Sequence, residues 1–228
     1  MQKNEVKSGM LDVLFTNPIA FFGWFLAFLI AIMTHENMHG LAALKNGDPT
    51  AKYSGRMNFN PLNHFDLTGL LMCVILGFGY AKPVPIDPRN FENYKKGMFE
   101  VSIAGVLANL AIAFFAYPLF VLAARYFPDL MLFDDLIMYF LLYLVYIDVW
   151  LMIFNLLPIY PLDGFRLVEL FFPRSSYCRF MRQYSNYVFL IYILLTFLGG
   201  RFGINLNVVS YLGEYVFSGI SWVWGLIL

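Results

Sequence analysis

Charge is scarce in this sequence. Lys plus Arg number 15 and Asp plus Glu 15 among 228 residues, a charged fraction of 13% with no net charge. A soluble globular chain carries about 25%. Without a basic excess there is no electrostatic footprint for nucleic acid, so a nucleic-acid binder is excluded along with a soluble enzyme and a disordered linker. Cysteine is rarer still. Cys73 falls in an apolar run and Cys178 in a basic loop, which excludes a disulfide framework and a cysteine-based metal motif. There is no internal repeat and no low-complexity tract. What the chain does have is apolar residue: 60% of it, with 25 Phe and 15 Tyr and a mean hydropathy of +0.66. That is the composition of a polytopic membrane protein.

The apolar runs predict an all-α fold of about five to six transmembrane helices, forming a single membrane-embedded domain over 1–228 with a core at about 20–170. Three runs approach or exceed the ~20 residues a bilayer needs: Pro18 to Ile32 extending to Leu44, Gly97 to Ala124, and Phe133 to Pro158. The polar stretch Met1 to Gly9 leads into the first run without a small-residue cleavage site, so that run reads as an uncleaved span. The tail, about 184–228, is broken by Gly199, Gly200, Arg201 and Gly203, and it reads as two short spans. Leu67 to Ala81 is apolar but short and has basic residues on both sides, the pattern of a re-entrant segment. Loops carrying Lys45, Lys52 and Arg56, then Lys82, Arg89, Lys95 and Lys96, then Arg166, Arg174, Arg179 and Arg182 are cytoplasmic by the positive-inside rule. Ala51 to Asn60 alternates Tyr53, Gly55, Met57 and Phe59 with polar residues, a period of two that predicts a short membrane-associated strand or hairpin.

Histidine occurs three times, and two of the three stand in T-H-E-N-M-H-G near the end of the first run, as His35 and His39 around Glu36. Residues i and i+4 share a helix face, so both imidazoles can reach one divalent ion, and the Glu beside the first can act as a general base. The geometry suits zinc. An ionisable cluster in an apolar helix is costly unless it serves a polar cavity or ligand. His64, between Asn63 and Phe65, reads as a loop residue. A catalytic zinc takes three protein ligands, and N-L-L-P-I-Y-P-L-D-G offers Asp163, after Pro158 and Pro161 and before Gly164. On spacing alone Asp163 is equally a cap for the next helix. Asp148, deeper in the run Tyr143 to Phe154, is a competing carboxylate. The histidine-bearing helix and the helix from Phe133 both end at the basic-flanked face, beside Pro158, and this direction favours Asp163.

These motifs carry a resemblance. H-E-N-M-H-G, G-F-G-Y-A-K-P-V-P-I-D-P-R-N-F at 77–91, G-V-L-A-N at 105–109 and N-L-L-P-I-Y-P-L-D-G at 155–164 resemble, in order, the site-2 protease family of intramembrane zinc metalloproteases. The likeness is to its small bacterial branch of little more than membrane core. The resemblance implies one zinc per chain held by His35, His39 and Asp163, Glu36 as catalytic base, and Asn109 and Asn155 as polar groups that touch substrate or transition state. It implies an endopeptidase that cuts in or near the membrane segment of a membrane-protein substrate, a single-span one, in regulated intramembrane proteolysis. The setting would be a bacterial cell membrane with the active site toward the cytoplasm and lipid as the surrounding medium. Val106 and Tyr160 stand where the family commonly has proline, and neither is a ligand or the base. The rival from another class is a divalent-metal carrier built on His35, His39, Asp163 and Asp148. Glu36 separates the two, because hydrolysis needs a base and transit does not.

Overall fold

The computed structural model describes residues 10–76, 79, 81–126, 132–198 and 208–228. These form ten α-helices: α1 (Met10–Thr16), α2 (Pro18–Lys45), α3 (Thr50–Tyr53), α4 (Pro61–His64), α5 (Leu67–Leu76), α6 (Tyr94–Tyr126), α7 (Leu132–Leu156), α8 (Asp163–Phe171), α9 (Ser176–Leu198) and α10 (Val208–Gly225). The expected features at Met1 to Gly9 and at Gly199 to Gly203 lie outside the described residues, as do 77, 78 and 80 of the second motif.

Three helices are long and apolar enough to cross a membrane: α2, α6 and the part of α7 from Asp135 to Leu156. At 1.5 Å per residue, the 28 residues of α2 span about 42 Å, more than the ~30 Å hydrocarbon core. Pro18 starts α2 at a position where its missing N–H is no loss, and the Asn17 side chain caps it by accepting from the Ala20 N–H at 3.0 Å. These three helices pack on one another as the centre of the molecule. Small residues make that possible: Ala27 and Ala31 on α2 and Ala113 on α6 are fully buried. A Cβ on Gly23 would come within 2.8 Å of the Tyr139 Cβ and 2.9 Å of the Phe140 nitrogen, so only glycine lets α2 meet α7 there. Large apolar side chains such as Phe22, Leu107 and Phe115 point outward and remain exposed, as lipid-facing residues do.

Between α4 and α6 the chain lies along α2: α5 packs on α1 and, through Cys73, joins Phe21, Trp24 and Phe28 of α2, while Val84 and Glu92 reach Glu36 and Asn46 nearer the Lys45 end. α5 has 10 residues, about 15 Å, too short to cross. The Lys82 N–H donates to the His64 carbonyl at 2.6 Å, so the two ends of the apolar excursion meet. The strand expected over Ala51 to Asn60 is not there, and no strand occurs among the described residues. Its polar residues are used differently. Asp48 accepts from the Thr50 N–H at 3.1 Å and so opens α3; Gly55 turns the chain with φ +64; Asn58 donates to the Gly55 carbonyl at 2.6 Å; and the Asn60 side chain caps α4. Side chains that bond their own backbone compete with a sheet ladder, and here they win.

Candidate metal centre

His35 and His39 stand one turn apart near the Lys45 end of α2, facing α6. Their rings are edge to face with centroids 4.5 Å apart, and they are 5% and 4% exposed. A Cβ on Gly105 of α6 would lie 2.5 Å from His35 Cε1 and 2.6 Å from Nδ1. The absent side chain at 105 is therefore the space that the His35 ring occupies.

Asp163 arrives from the other end of the chain. α7 stops at Leu156, two residues before Pro158, and the Leu162 N–H to Ile159 carbonyl bond at 2.9 Å folds the connection back. The first turn of α8 then lies against the end of α7, so closely that a Cβ on Gly164 would come within 2.5 Å of the Leu157 carbonyl oxygen and clash with Leu156 as well. The capping alternative for Asp163 does not hold: the residue before α8 is Leu162, with no side-chain cap. The Asp163 carboxylate instead turns to the histidines. Its Oδ2 lies 3.3 Å from His35 Nε2 and 3.1 Å from His39 Nε2, and the two Nε2 atoms are 3.0 Å apart. Among the described residues, His35, His39 and Asp163 are the one group of three or more His, Cys, Asp or Glu able to hold a metal.

The hydrogen-bond pattern says what this triangle is for. His39 Nδ1 lies 2.7 Å from the Val101 carbonyl oxygen and His35 Nδ1 2.8 Å from Asn109 Oδ1. Both partners are acceptors, so each ring carries its hydrogen on Nδ1 and turns the lone pair of Nε2 inward. Two lone pairs and a carboxylate oxygen then face one another in a buried site, an arrangement that repels unless a cation or a shared proton lies between them. Tetrahedral zinc with bonds of 2.0–2.2 Å separates its ligand atoms by about 3.3 Å, and the observed edges of 3.0 to 3.3 Å fit. Arg166 Nη1, one helical turn on, donates to the outer oxygen Oδ1 at 3.3 Å.

Residues 130–199 match the profile of Peptidase family M50. A protein of Bacillus subtilis (strain 168) named "Putative zinc metalloprotease YwhC" is 34% identical over 168 residues, covering 73% of this chain and 76% of the relative. The chain belongs to peptidase family M50. It is a membrane zinc metalloendopeptidase, and the donor set just described suits its metal. No solved structure matches the chain.

The remaining sequence candidates fall out differently. One Glu36 oxygen, Oε2, accepts from the Val84 N–H at 2.9 Å. Sequence reasoning missed Val84 because a backbone donor has no residue signature; the faint signal was its place between Pro83 and Pro85, which have no N–H to offer. Asn109 is fully buried and both ends of its amide are engaged, Oδ1 with His35 and Nδ2 with Asp148 at 2.9 Å. Asn155 donates back to the Leu151 carbonyl on its own helix at 3.0 Å, and no hydrogen bond ties it to the three donors. Asp148 stands behind Asn109, outside the triangle, which removes the fourth member of the carrier site. His64 is buried, its Nε2 lying 2.6 Å from the Asn58 carbonyl oxygen.

Proposed function

We propose that this metalloendopeptidase hydrolyses a peptide bond in or near the transmembrane segment of a membrane-protein substrate, with His35, His39 and Asp163 as zinc ligands and Glu36 as the general base. The observation that carries this reading is depth. His35 and His39 lie about 15 and 9 Å inside the Lys45 end of a membrane-long helix, and a metal held there is reached from within the bilayer. Zinc bound by the three donors supplies a Lewis acid that polarises the scissile carbonyl and makes water a usable nucleophile at neutral pH. The chain's own groups do the rest. Glu36, anchored through Oε2 by the Val84 N–H, takes the proton of the attacking water and returns one to the leaving amine. Gly105 and the α2–α6 contact hold the ligand rings against rotation. The substrate helix must unwind first, because its carbonyls are closed in its own hydrogen bonds.

The finer reading follows from the same supports. A single domain over 1–228 includes α9 and α10 as further short spans, giving five to six with the re-entrant segment counted beside them. The basic loops at the Lys45 end and around Arg166 to Arg182 orient the site toward the cytoplasmic face of a bacterial cell membrane. The substrate is a single-span protein cut in regulated intramembrane proteolysis, and one zinc serves each chain.

The test is Glu36→Gln. The purified variant should keep one zinc per chain while cleavage of a single-span substrate in lipid vesicles falls by about 10²- to 10⁴-fold. Wild-type cleavage by a zinc-loaded Gln variant would remove Glu36 from the mechanism.

A further inference from the structure

We infer that Asp148 is a positioning residue for the metal: acting through Asn109, it fixes His35 in the tautomer that turns Nε2 toward the ion. The inference rests on His35 being a zinc ligand and adds a residue from a third membrane helix, so that a hydrogen-bonded row runs Asp148 (α7), Asn109 (α6), His35 (α2).

Asp148 Oδ1 accepts from Asn109 Nδ2 at 2.9 Å, so the Asn109 amide presents its NH₂ group to Asp148. The Asn109 oxygen then faces His35 Nδ1 at 2.8 Å, and it too can only accept. His35 must therefore carry its hydrogen on Nδ1. Without Asp148 the Asn109 amide is free to turn over. Its NH₂ would then face Nδ1, the imidazole hydrogen would move to Nε2, and a proton would point at the place the ion needs.

The second histidine shows why this device is required only once. His39 Nδ1 faces the Val101 carbonyl at 2.7 Å, a backbone group inside α6 that cannot turn over. His35 has a side-chain amide in the same role, and an amide has two ends. Asp148 supplies the asymmetry that the backbone supplies to His39. Packing alone does not account for Asp148: it is fully buried, and its second oxygen, Oδ2, has no hydrogen-bond partner. A buried carboxyl with an empty acceptor is costly, and an apolar residue would fill α7 at less expense.

The experiment measures zinc affinity by chelator competition, and the absorption of the cobalt(II)-loaded protein, on the detergent-purified full chain. Asp148→Leu should weaken zinc by about 10- to 100-fold, the range for loss of a group that orients a metal-ligating histidine, and should alter the cobalt spectrum. Asp148→Asn should fall between wild type and the Leu variant, since its amide oxygen accepts the same hydrogen but its NH₂ can also turn toward Asn109. Because the Leu variant can fail to fold, a swap gives an independent reading. Asn109→Asp alone sets two carboxylates face to face and should weaken zinc; adding Asp148→Asn restores both hydrogen bonds and should recover affinity and spectrum. Wild-type zinc affinity in folded Asp148→Leu, or no recovery in the double variant, overturns the inference. His35→Ala is the control for the reading beneath it: undiminished zinc affinity there would mean that His35 is not a ligand, a failure distinct from that of the row behind it.

Discussion

Asp48 and Asp163 are both buried carboxylates outside the three long helices, and they have opposite surroundings. Asp48 is met by donors on both oxygens: the Thr50 N–H and hydroxyl and the Asn90 amide on Oδ1, the Asp87 N–H at 2.7 Å on Oδ2. It ties the turn after α2 to the segment before α6, and both of its oxygens are met by donors inside the protein. Asp163 Oδ2 meets two imidazole nitrogens whose hydrogens are on the far side of each ring. One cluster is complete as it stands; the other is completed by a cation. Burial and charge do not separate a structural acid from a functional one here. The count of donors against acceptors does.

The comparison is broken most severely by exchanging each acid for alanine. Asp163→Ala should lose zinc from one per chain to near none, and proteolysis with it, whereas Asp48→Ala should purify with its zinc. Metal analysis of the two variants decides this, and zinc retained by the Asp163 variant would show that the wrong carboxylate has been assigned. Next in size is Val84→Pro, which removes the N–H that anchors Glu36. Turnover should drop by about 100-fold with zinc content unchanged; an undisturbed rate would mean that the anchor is dispensable.

That second variant could not have been designed from the sequence. The histidine pair and Glu36 were legible because i and i+4 on a helix is a fixed geometric relation; the prolines and glycine around Asp163 left a cap as an equal reading, and helix direction and the family resemblance favoured the ligand. The three long helices were legible because lipid imposes a length and a composition. Where backbone donors or side-chain-to-backbone bonds decide the outcome, the letters say less. Tyr53, Gly55, Met57 and Phe59 alternate as a strand would, yet Asp48, Asn58 and Asn60 satisfy the backbone locally and the segment folds as turns. Asp148 was visible as an odd acid in an apolar run, but its partner Asn109 sits on another helix, and only packing brings the two together.

A smaller effect is expected at Gly105. Gly105→Ala drives a methyl group into the His35 ring, so zinc affinity should fall by about tenfold, the lower end for a disturbed ligand orientation, while His39 keeps its bond to Val101. Chelator titration of this variant beside wild type measures it, and equal affinities would show that the ring has room to shift. The smallest effect concerns Asp48. Burial would raise its carboxyl, but the bonds from Asn90, Thr50 and Asp87 prevail and hold it below the usual value. A depressed carboxylate stabilises fully above its unfolded pKa, about 3.9, and that stabilisation is lost as pH falls through the lower folded value. Asp48→Ala should therefore cost about 2–3 kcal/mol at pH 7, and the gap to wild type should close progressively in acid below about pH 4. Unfolding in detergent at the two extremes checks the sign; a gap that widens in acid contradicts it.

The fold-back of α8 onto the end of α7 has a consequence in time. Both imidazoles are synthesised and can enter the membrane with α2, whereas the carboxylate that joins them is made only after α6 and α7. A nascent chain paused at Leu156 holds two histidines, the base and the row behind them, but no third ligand. With the proposed ligand set, competence to cut is thus deferred until the chain has passed Gly164.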